Sequence, residues 1–182
     1  MNTGGRPRSE EARLAVLHAV DDLLLEVGYS AMTMKSIADR AKVSRATVYR
    51  WWSTKAEVLF EASALDSVKE LTIEASGDPR ADLVAYLDAL AVFLSRSPAG
   101  IAYRVLLTEA RGDAAVAELF SSRDVLGDTS RPVLERALPG AVGDRVLASF
   151  IGPVFFWAAS GRDPADLDAR ELVEAFLRSV RP

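Results

Sequence analysis

Apolar residues recur at intervals of three and four along most of this 182-residue chain, and nowhere do they alternate as in a β-strand. Clear examples are the stripes Leu14, Leu17, Val20, Leu24 and Leu83, Leu87, Leu90, Leu94. Ser, Thr or Asp caps and Gly or Pro residues separate these segments, as expected at helix ends. The pattern predicts an all-α protein of about nine helices.

Composition narrows the possible functions. The chain has no cysteine and a single histidine, so disulfides, thiolate catalysis and cysteine zinc sites are excluded. It also lacks a Gly-rich phosphate loop and a clustered carboxylate motif. We therefore predict a protein that is not an enzyme and needs no cofactor or metal. No apolar run approaches the length of a membrane span, which favours a cytoplasmic protein without a membrane partner.

Positive charge is concentrated in the first third of the chain, although the net charge is −4. Residues 1–60 contain nine Lys or Arg against seven acids, whereas residues 61–182 contain 13 against 19. Within residues 28–55 the basic residues outnumber the acidic ones six to one. A local basic patch on an acidic protein is typical of one small module that binds nucleic-acid phosphates.

The segment 42–55, KVSRATVYRWWSTK, indicates which element would enter DNA. Ser44 can cap a helix on which Val48 and Trp52, four residues apart, share the inward face. Ala46, Thr47 and Arg50 then point outward, and such residue types suit base edges in a groove. A surface helix with two aromatic residues packed inside is the alternative interpretation of the same pattern.

A second helix start follows immediately. Thr54 and Glu57 form a T-x-x-E capping box, so the next helix begins with its free N–H groups and Lys55 on the side of the preceding helix. We expect Lys55 and Tyr49 to hold phosphates.

The C-terminal segments are predicted from caps and apolar stripes alone. We expect a long helix from Asp113 to Leu138 with a break around Gly127, and a final helix from about Pro164 to Val180. Between them, residues 144–160 are apolar nearly all round, which requires cover on more than one side.

RPRSEEAR at 6–13 and GYSAMTMKSIADRAKVSRATVYRWWSTKAEVLFEA at 28–62 resemble the DNA-binding domain of TetR/AcrR (tetracycline-repressor-type) transcriptional regulators. The matching pattern combines G-[YF] after helix 1, T-x-x-x-I-A-x-x-A-x-V-S-x-x-T-x-Y, and S-T-K opening helix 4. The order of the C-terminal helices is also similar to that family. The resemblance implies a homodimeric repressor that binds a palindromic double-stranded DNA operator and is released by a small-molecule effector.

The resemblance also assigns roles to residues and ranges. It implies a DNA-binding domain (9–56, motif about 33–52) and an effector-binding and dimerisation domain (57–182), while the composition of residues 1–8 predicts a flexible N-terminal arm. The predicted DNA-binding residues, from the resemblance and the helical wheel together, are Lys35, Ser44, Arg45, Ala46, Thr47, Tyr49, Arg50, Trp51 and Lys55. The predicted dimer residues in the last two helices are Phe150, Val154, Phe155, Leu172, Phe176 and Leu177.

Two positions depart from the family pattern. Lys42 stands where a turn glycine is usual, and a left-handed backbone costs a residue with a Cβ roughly 1 kcal/mol or more. Trp51 and Trp52 replace a common His-Phe or Tyr-Phe pair. The first departure bears on the geometry of the turn, the second on the contact made by Trp51.

The apolar bias of the C-terminal part suggests a hydrophobic effector. Candidate pocket-lining residues are Phe93, Tyr103, Phe120, Phe156 and Trp157, with polar contacts from Thr108, Glu109 and Arg111. Aromatic residues at helical spacing are also typical of an ordinary core, and these polar residues of a solvated helix end.

Three other functions stay open at this stage. The chain could form a constitutive DNA-binding dimer without an effector, in which case it would lack a cavity. It could be an enzyme, although the chemistry has no obvious residues to carry it. It could also be a helical interaction module, which specific DNA binding would eliminate.

Overall fold

The computed structural model describes residues 6–140 and 142–180, and within these ranges every regular element is a helix. The α-helices are α1 (Arg6–Ala31), α2 (Met34–Ala41), α3 (Arg45–Tyr49), α4 (Lys55–Leu71), α5 (Pro79–Arg96), α6 (Pro98–Glu109), α7 (Ala114–Ser122), α8 (Val125–Ala137), α9 (Asp144–Ala159) and α10 (Ala169–Ser179). A short 3-10 helix (Pro164–Asp166) precedes α10. The predicted all-α class is confirmed.

The predicted caps begin the helices where the sequence placed them. Ser44 Oγ accepts from the backbone N–H of Thr47, and Thr54 Oγ1 accepts from that of Glu57. The Glu57 carboxylate accepts from the N–H of Ser53, one residue before the position of an ideal capping box. Ser97 caps α6 and Asp113 caps α7. Helix starts were readable because a cap is a local interaction between residues two or three apart.

The first helix differs from the prediction at both ends. Of the arm predicted over 1–8, residues 1–5 lie outside the described residues, and Arg6–Arg8 belong to α1. Gly28 interrupts the regular helix, with φ +76° and ψ 165°, but one further turn reaches Ala31. Gly28 therefore redirects the chain rather than ending it, and its positive φ is readily adopted because glycine has no Cβ.

The segment predicted as one helix from Asp113 to Leu138 is two helices. It breaks at Arg123–Asp124, and Asp124 caps α8 by accepting from the N–H of Gly127. A Cβ on Gly127 would lie only 1.8 Å from an Asp124 oxygen. Gly127 therefore lies inside α8, where the missing Cβ leaves room for the Asp124 cap. The break predicted around Gly127 falls three residues earlier, at the cap itself.

Helix α4 is the element around which the others pack. It contacts α1 on one side and α5, α6, α7 and α8 on the other. A single apolar core runs from α1 to α10, and Leu59, Ala62 and Leu71 of α4 lie inside it. The domain boundary predicted at 56/57 falls within the first turns of α4, and it stays a prediction.

Membrane-spanning helices and metal sites are two further features that bear on function. In the described part of the chain, no individual helix is long and apolar enough to cross a bilayer. Helices α5 and α6 meet that test only as a pair, and they bend by 72° at the break between them. No group of three or more His, Cys, Asp or Glu side chains within residues 6–140 and 142–180 is arranged to hold a metal ion.

Candidate DNA-binding surface

The turn between α2 and α3 is regular despite Lys42. Lys42 has φ 56° and ψ 37°, which is the left-handed conformation that a glycine would adopt there. Its N–H donates to the carbonyl of Asp39, and the N–H of Val43 donates to that of Ala38, at 3.3 and 3.1 Å. This pair of bonds is a Schellman motif. The lysine therefore takes the place of the glycine without breaking the hydrogen bonds of the turn.

Helix α3 is short, but helical bonding continues past it. After Tyr49, the N–H of Arg50 donates to Ala46, and those of Trp51 and Trp52 donate to Val48. The helical wheel predicted for residues 45–52 thus applies to most of the segment.

The inward face of this segment is fixed by both packing and polar bonds. Val48 is fully buried and Trp52 is 3% exposed. The indole Nε1–H of Trp52 donates to the Glu61 carboxylate at 2.6 Å, and the same carboxylate forms an ion pair with Arg13. The Glu61 carboxylate on α4 therefore connects α1 to the end of residues 45–52, which we call the recognition segment. Sequence reasoning identified Trp52 but missed Glu61 and Arg13, because their contacts span nine and 48 residues.

The outward face carries most of the predicted DNA-binding residues. Ser44, Arg45, Ala46, Tyr49 and Arg50 are exposed, and Tyr49 is 54% exposed.

Two predicted contact residues in the same segment are partly engaged within the protein. The hydroxyls of Thr47 and Ser44 lie 2.9 Å apart and are hydrogen-bonded to each other. In this arrangement, a contact with DNA is made by hydroxyls that also take part in capping α3. Trp51 is half-buried, edge-on to Trp52 at 5.4 Å, with the Arg50 guanidinium 4.8 Å from its ring centre.

The six cations of residues 28–55 are not equally available. Arg40 pairs with Glu26 and Asp22 of α1, and Lys35 pairs with Asp39 at 2.8 Å. Among the described residues, Lys42, Arg45 and Arg50 form no ion pair, and all three are exposed. The Lys35–Asp39 pair is exposed on both sides and so contributes little stability, which leaves Lys35 free to exchange partners.

Lys55 lies differently from the prediction. Its ammonium donates to the carbonyls of Tyr29 and Met32 at 2.6 and 3.0 Å, and it lies 4.2 Å from the centre of the Tyr29 ring. It thereby satisfies carbonyls at the end of α1. The side chain points inward and holds α4 against the α1–α2 connection, whereas we expected a free phosphate-binding cation. Its contact with phosphate stays a prediction.

A shallow groove of about 210 Å³ adjoins Lys55. It lies between the start of α4 and helix α7, and Tyr29, Asp113 and Leu119 contribute to its walls. Burial, reinforced by the carboxylates of Glu109 and Asp113, raises the pKa of the Tyr29 phenol. The start of α7 therefore lies beside the residues that hold α4 at the DNA-binding end.

Three of the predicted pocket residues share a packed aromatic cluster. Phe120 makes edge contacts with Tyr103 at 5.3 Å and with Phe60 at 5.2 Å, and Tyr103 lies 6.5 Å from Phe93. None of the three grooves described for residues 6–140 and 142–180 is lined by Phe93, Tyr103 or Phe120. Their role in a ligand pocket stays a prediction.

The two predicted pocket residues on α9 lie elsewhere. Phe156 is 64% exposed, so its assignment to a pocket wall is wrong and it belongs to the protein surface. Trp157 is half-buried, with the Arg162 guanidinium 4.6 Å from its ring centre. Because α9 is apolar on every side, periodicity could not tell its inward face from its outward one.

The predicted dimer-interface residues also fall into two groups, one buried and one half-buried. Phe150, Val154 and Phe176 are buried in the subunit's own core, with the rings of Phe150 and Phe176 5.0 Å apart. Their assignment to the interface is wrong, because they form the inner stripes of α9 and α10. Phe155, Leu172 and Leu177 are half-buried and stay candidates.

Helices α1, α2 and α3 form a three-helix unit in which a short turn joins α2 to α3. One side of α3 is exposed, and the other is held in place by Val48 and Trp52. This arrangement defines the helix-turn-helix class of DNA-binding proteins. Residues 16–62 match the family described as bacterial regulatory proteins, tetR family. This chain belongs to the TetR family of transcriptional regulators, whose members are not enzymes.

Individual relatives agree with this assignment. The chain is 40% identical over 119 residues to the uncharacterized HTH-type transcriptional regulator YdeS of Bacillus subtilis, covering 65% of this chain and 60% of that one. It is 30% identical over 117 residues to the HTH-type transcriptional repressor KstR of Mycobacterium tuberculosis, covering 62% and 50%. The matches thus span about half the length of the curated relatives, between 37% and 60%.

A solved structure extends the similarity to the C-terminal helices. The TetR family transcription regulator SCO0332 superposes with a TM-score of 0.75 at 28% identity, over 94% of this chain and all of that one. The fatty acid degradation regulator FadR of Bacillus halodurans, at 16% identity and a TM-score of 0.63, shares the fold.

Proposed function

We propose that this protein is a sequence-specific DNA-binding repressor that acts as a homodimer on a near-palindromic operator and is released by a small molecule. The observation that carries the proposal is the exposed N-terminal turn of α3, whose rear face is locked by Val48 and Trp52. A regulator of this kind works on chromosomal DNA, so we expect it in the cytoplasm.

Base reading is assigned to the start of α3. Arg45 is exposed and forms no ion pair within the described residues, so its guanidinium can pair bidentately with a guanine. Ala46 is small and exposed, which lets the helix approach the base edges closely. The Ser44–Thr47 hydroxyl pair lies at the same end of the helix and can accept or donate to a base edge while capping α3.

Phosphate binding is assigned to the cations and the phenol around that turn. Lys42 and Arg50 are exposed and form no ion pair within the described residues, and Tyr49 presents its hydroxyl to solvent. Such contacts position a protein on the duplex without reading sequence. Lys35 joins them if its exposed pair with Asp39 opens. Lys55 acts mainly by holding α4 in place.

Dimerisation is assigned to the outer faces of α9 and α10. Phe156 is 64% exposed, and Leu172 and Leu177 are half-buried on the same two helices. Among the described residues, apart from the backbone of α9 itself, no atom lies within 4 Å of a Cβ built on Gly152, so a second helix can approach this face closely. Two copies joined here would present two α3 helices, which must lie about 34 Å apart to enter successive major grooves.

Release of DNA is assigned to a movement of α6 relative to α4. Ser63 of α4 donates to the carbonyl of Ala99 at 2.7 Å, and Ser97 donates to Glu70 at 2.8 Å, so the start of α6 is bonded to α4. A Cβ on Gly100 would lie 1.8 Å from the Phe93 carbonyl, so α5 and α6 are also in close contact. A ligand that binds more tightly when α6 takes another position would favour a dimer conformation that does not fit DNA. The size of that shift is set by the difference between the ligand's affinities for the two conformations.

The proposal is tested by selecting bound DNA from a random pool with the purified full chain. We expect an enriched sequence with two inverted half-sites about one helical turn apart. Arg45→Ala should lose roughly 1 to 3 kcal/mol of binding free energy on that sequence and relax preference at one base pair in each half-site.

Arg123→Ala, which removes an exposed arginine at the end of α7, is the matched control. It should leave both affinity and base preference unchanged. Failure to enrich any sequence would refute the proposed function, and equal losses on specific and random DNA for Arg45→Ala would refute its base-reading role.

A further inference from the structure

A groove of about 310 Å³ lies between the outer face of α6 and helix α9. Arg104, Leu107 and Thr108 line it from one face of α6, and Arg111 lines it from the turn that follows. Phe155, Ala158 and Ala159 line it from α9. This volume is at the lower end of the range of small-molecule sites, roughly 300 to 1,000 Å³.

The groove is positively charged on a protein whose net charge is −4. Two of its seven lining residues are arginines, and none is acidic. Within the described residues, neither Arg104 nor Arg111 forms an ion pair or a side-chain hydrogen bond. All the other lining side chains except Thr108 are apolar.

Arg104 contains the most informative atom of the groove. Its side chain is half-buried, and its Nε is shielded from solvent without a hydrogen-bond partner among the described residues. A charged donor without a partner is unfavourable in the folded protein. An acceptor bound in the groove gives the guanidinium a partner once the half-buried side chain turns to bring Nε out of its shielded position.

We propose that this groove binds a small organic anion, with its carboxylate on the Arg104 guanidinium and its apolar body against Leu107, Phe155 and Ala158. A carboxylate matches the planar guanidinium fork in bidentate geometry, and it neutralises a charge that water reaches poorly. An alcohol or an amine of the same length cannot do both.

Arg111 has a secondary role at the mouth of the groove. It follows Arg104 by seven residues and lies two residues past the end of α6, at the edge of the groove. Arg111 is exposed and attracts the anion through solvent, and its contribution should weaken with salt.

Such a ligand would bear on DNA binding because of where α6 ends. The start of α6 is bonded to α4 through Ser63 and Ser97, and Asp113, which caps α7 after the end of α6, lines the same groove as Tyr29 and Lys55. An anion held between α6 and α9 would bias the position of α6 and hence this junction. This regulatory consequence rests on the proposed function, whereas the binding itself does not.

Calorimetric titration of the full chain with octanoate, octanol and octylamine tests the binding. We expect octanoate to bind, and the alcohol and amine to bind at least tenfold more weakly. Arg104→Met, which keeps the stem and removes the charge, should reduce octanoate affinity tenfold or more. Arg111→Met should reduce it about two- to fivefold at low salt and have no effect at high salt.

Arg145→Met, on an exposed arginine of α9 outside the groove, is the matched control and should bind octanoate like the parent chain. Circular dichroism should show that all three variants fold. Equal binding of octanoate and octanol, or unchanged affinity in Arg104→Met, would overturn the proposal, as would no octanoate binding at all.

A second copy of the chain seated in the groove is a further outcome that would overturn it. In that case Arg104→Met would change the dimer dissociation constant measured by sedimentation, with no effect on octanoate titration. Because calorimetry needs no DNA, failure of anion binding is distinguishable from failure of the DNA-binding function, which the selection experiment measures separately.

Discussion

The recognition segment and helix α9 both contain adjacent aromatic residues, but different forces orient them. Trp52 is held by a hydrogen bond to Glu61, which is itself paired with Arg13, so one rotation of the segment is selected. Helix α9 has no such bond, and packing alone decides that Phe150 is buried and Phe156 is exposed. Directional bonds specify orientation even where the apolar pattern is ambiguous, whereas packing requires the complete fold.

The largest expected effect follows from removing Trp52. Trp52→Ala should lower the free energy of unfolding by about 3 to 5 kcal/mol, because it opens a cavity in the core and removes the indole donor to Glu61, which then keeps only its ion pair with Arg13. DNA binding should fall on all sequences, since α3 loses its support. Chemical denaturation and a binding titration measure the two effects.

Trp51→Ala is the control for that comparison, because Trp51 is half-buried and makes no hydrogen bond to Glu61. Its effect should be clearly smaller. Trp52→Phe isolates the hydrogen bond and should cost about 1 to 2 kcal/mol. A Trp52→Phe protein as stable as the parent would show that packing fixes this segment just as it fixes α9.

The inner and outer faces of α9 should respond differently to the same truncation. Phe150→Ala should lower the free energy of unfolding by about 3 to 5 kcal/mol at any protein concentration, since Phe150 is 1% exposed. Phe156→Ala should mainly weaken dimerisation, so its melting temperature should fall and depend less steeply on protein concentration than that of the parent chain. Sedimentation and thermal melts at several concentrations distinguish these results, and a monomer–dimer equilibrium unaffected by Phe156→Ala would place the interface elsewhere.

A buried carboxyl between α1 and α4 gives the next largest effect. Burial, reinforced by the nearby carboxylates of Asp66, Asp22 and Glu70, raises the pKa of Asp21 from its ordinary value of 3.8 to about 7. Lys69 opposes this shift, but it is paired with Asp66 at 2.6 Å. The Asp21 Oδ1 atom has no hydrogen-bond partner among the described residues.

Between these two pKa values the folded state binds a proton that the unfolded chain releases. The free energy of unfolding should therefore decrease as pH rises from about 4 to about 7. Asp21→Asn should flatten this dependence and stabilise the protein at pH 8 by about 1 to 2 kcal/mol, after allowing for solvent screening.

Glu118→Gln, on an exposed residue of α7, is the matched control for Asp21. Denaturation at several pH values measures both variants. A parent protein whose stability rises between pH 4 and 7, with an unchanged slope in Asp21→Asn, would contradict the assignment.

Lys42 should give the smallest effect and separates strain from charge. Lys42→Gly should stabilise the protein by about 1 kcal/mol or less, because glycine adopts the left-handed conformation without strain but gains freedom in the unfolded chain. Lys42→Ala keeps the strain and removes the charge, so it should not gain stability. Both variants should reduce the slope of binding against salt by about one if Lys42 contacts a phosphate. An unchanged slope would remove Lys42 from the DNA contacts.

Local signals accounted for what the sequence predicted well. Ser44, Thr54, Ser97 and Asp113 start helices as expected, because each cap depends on residues two or three positions away. The break predicted around Gly127 was displaced by three residues for the opposite reason, since Gly127 was interpreted as a helix breaker without its partner Asp124.

The sequence by itself determined the helical class, the position of the recognition segment and its local positive charge, because periodicity, caps and charge are properties of neighbouring residues. The tertiary structure decided which cations remain available, turning Lys55 toward the carbonyls of Tyr29 and Met32. It also decided which side of α9 is buried and brought Arg104 beside Phe155 to form the cationic groove. These outcomes depend on contacts between residues far apart in the chain, which a linear pattern does not encode.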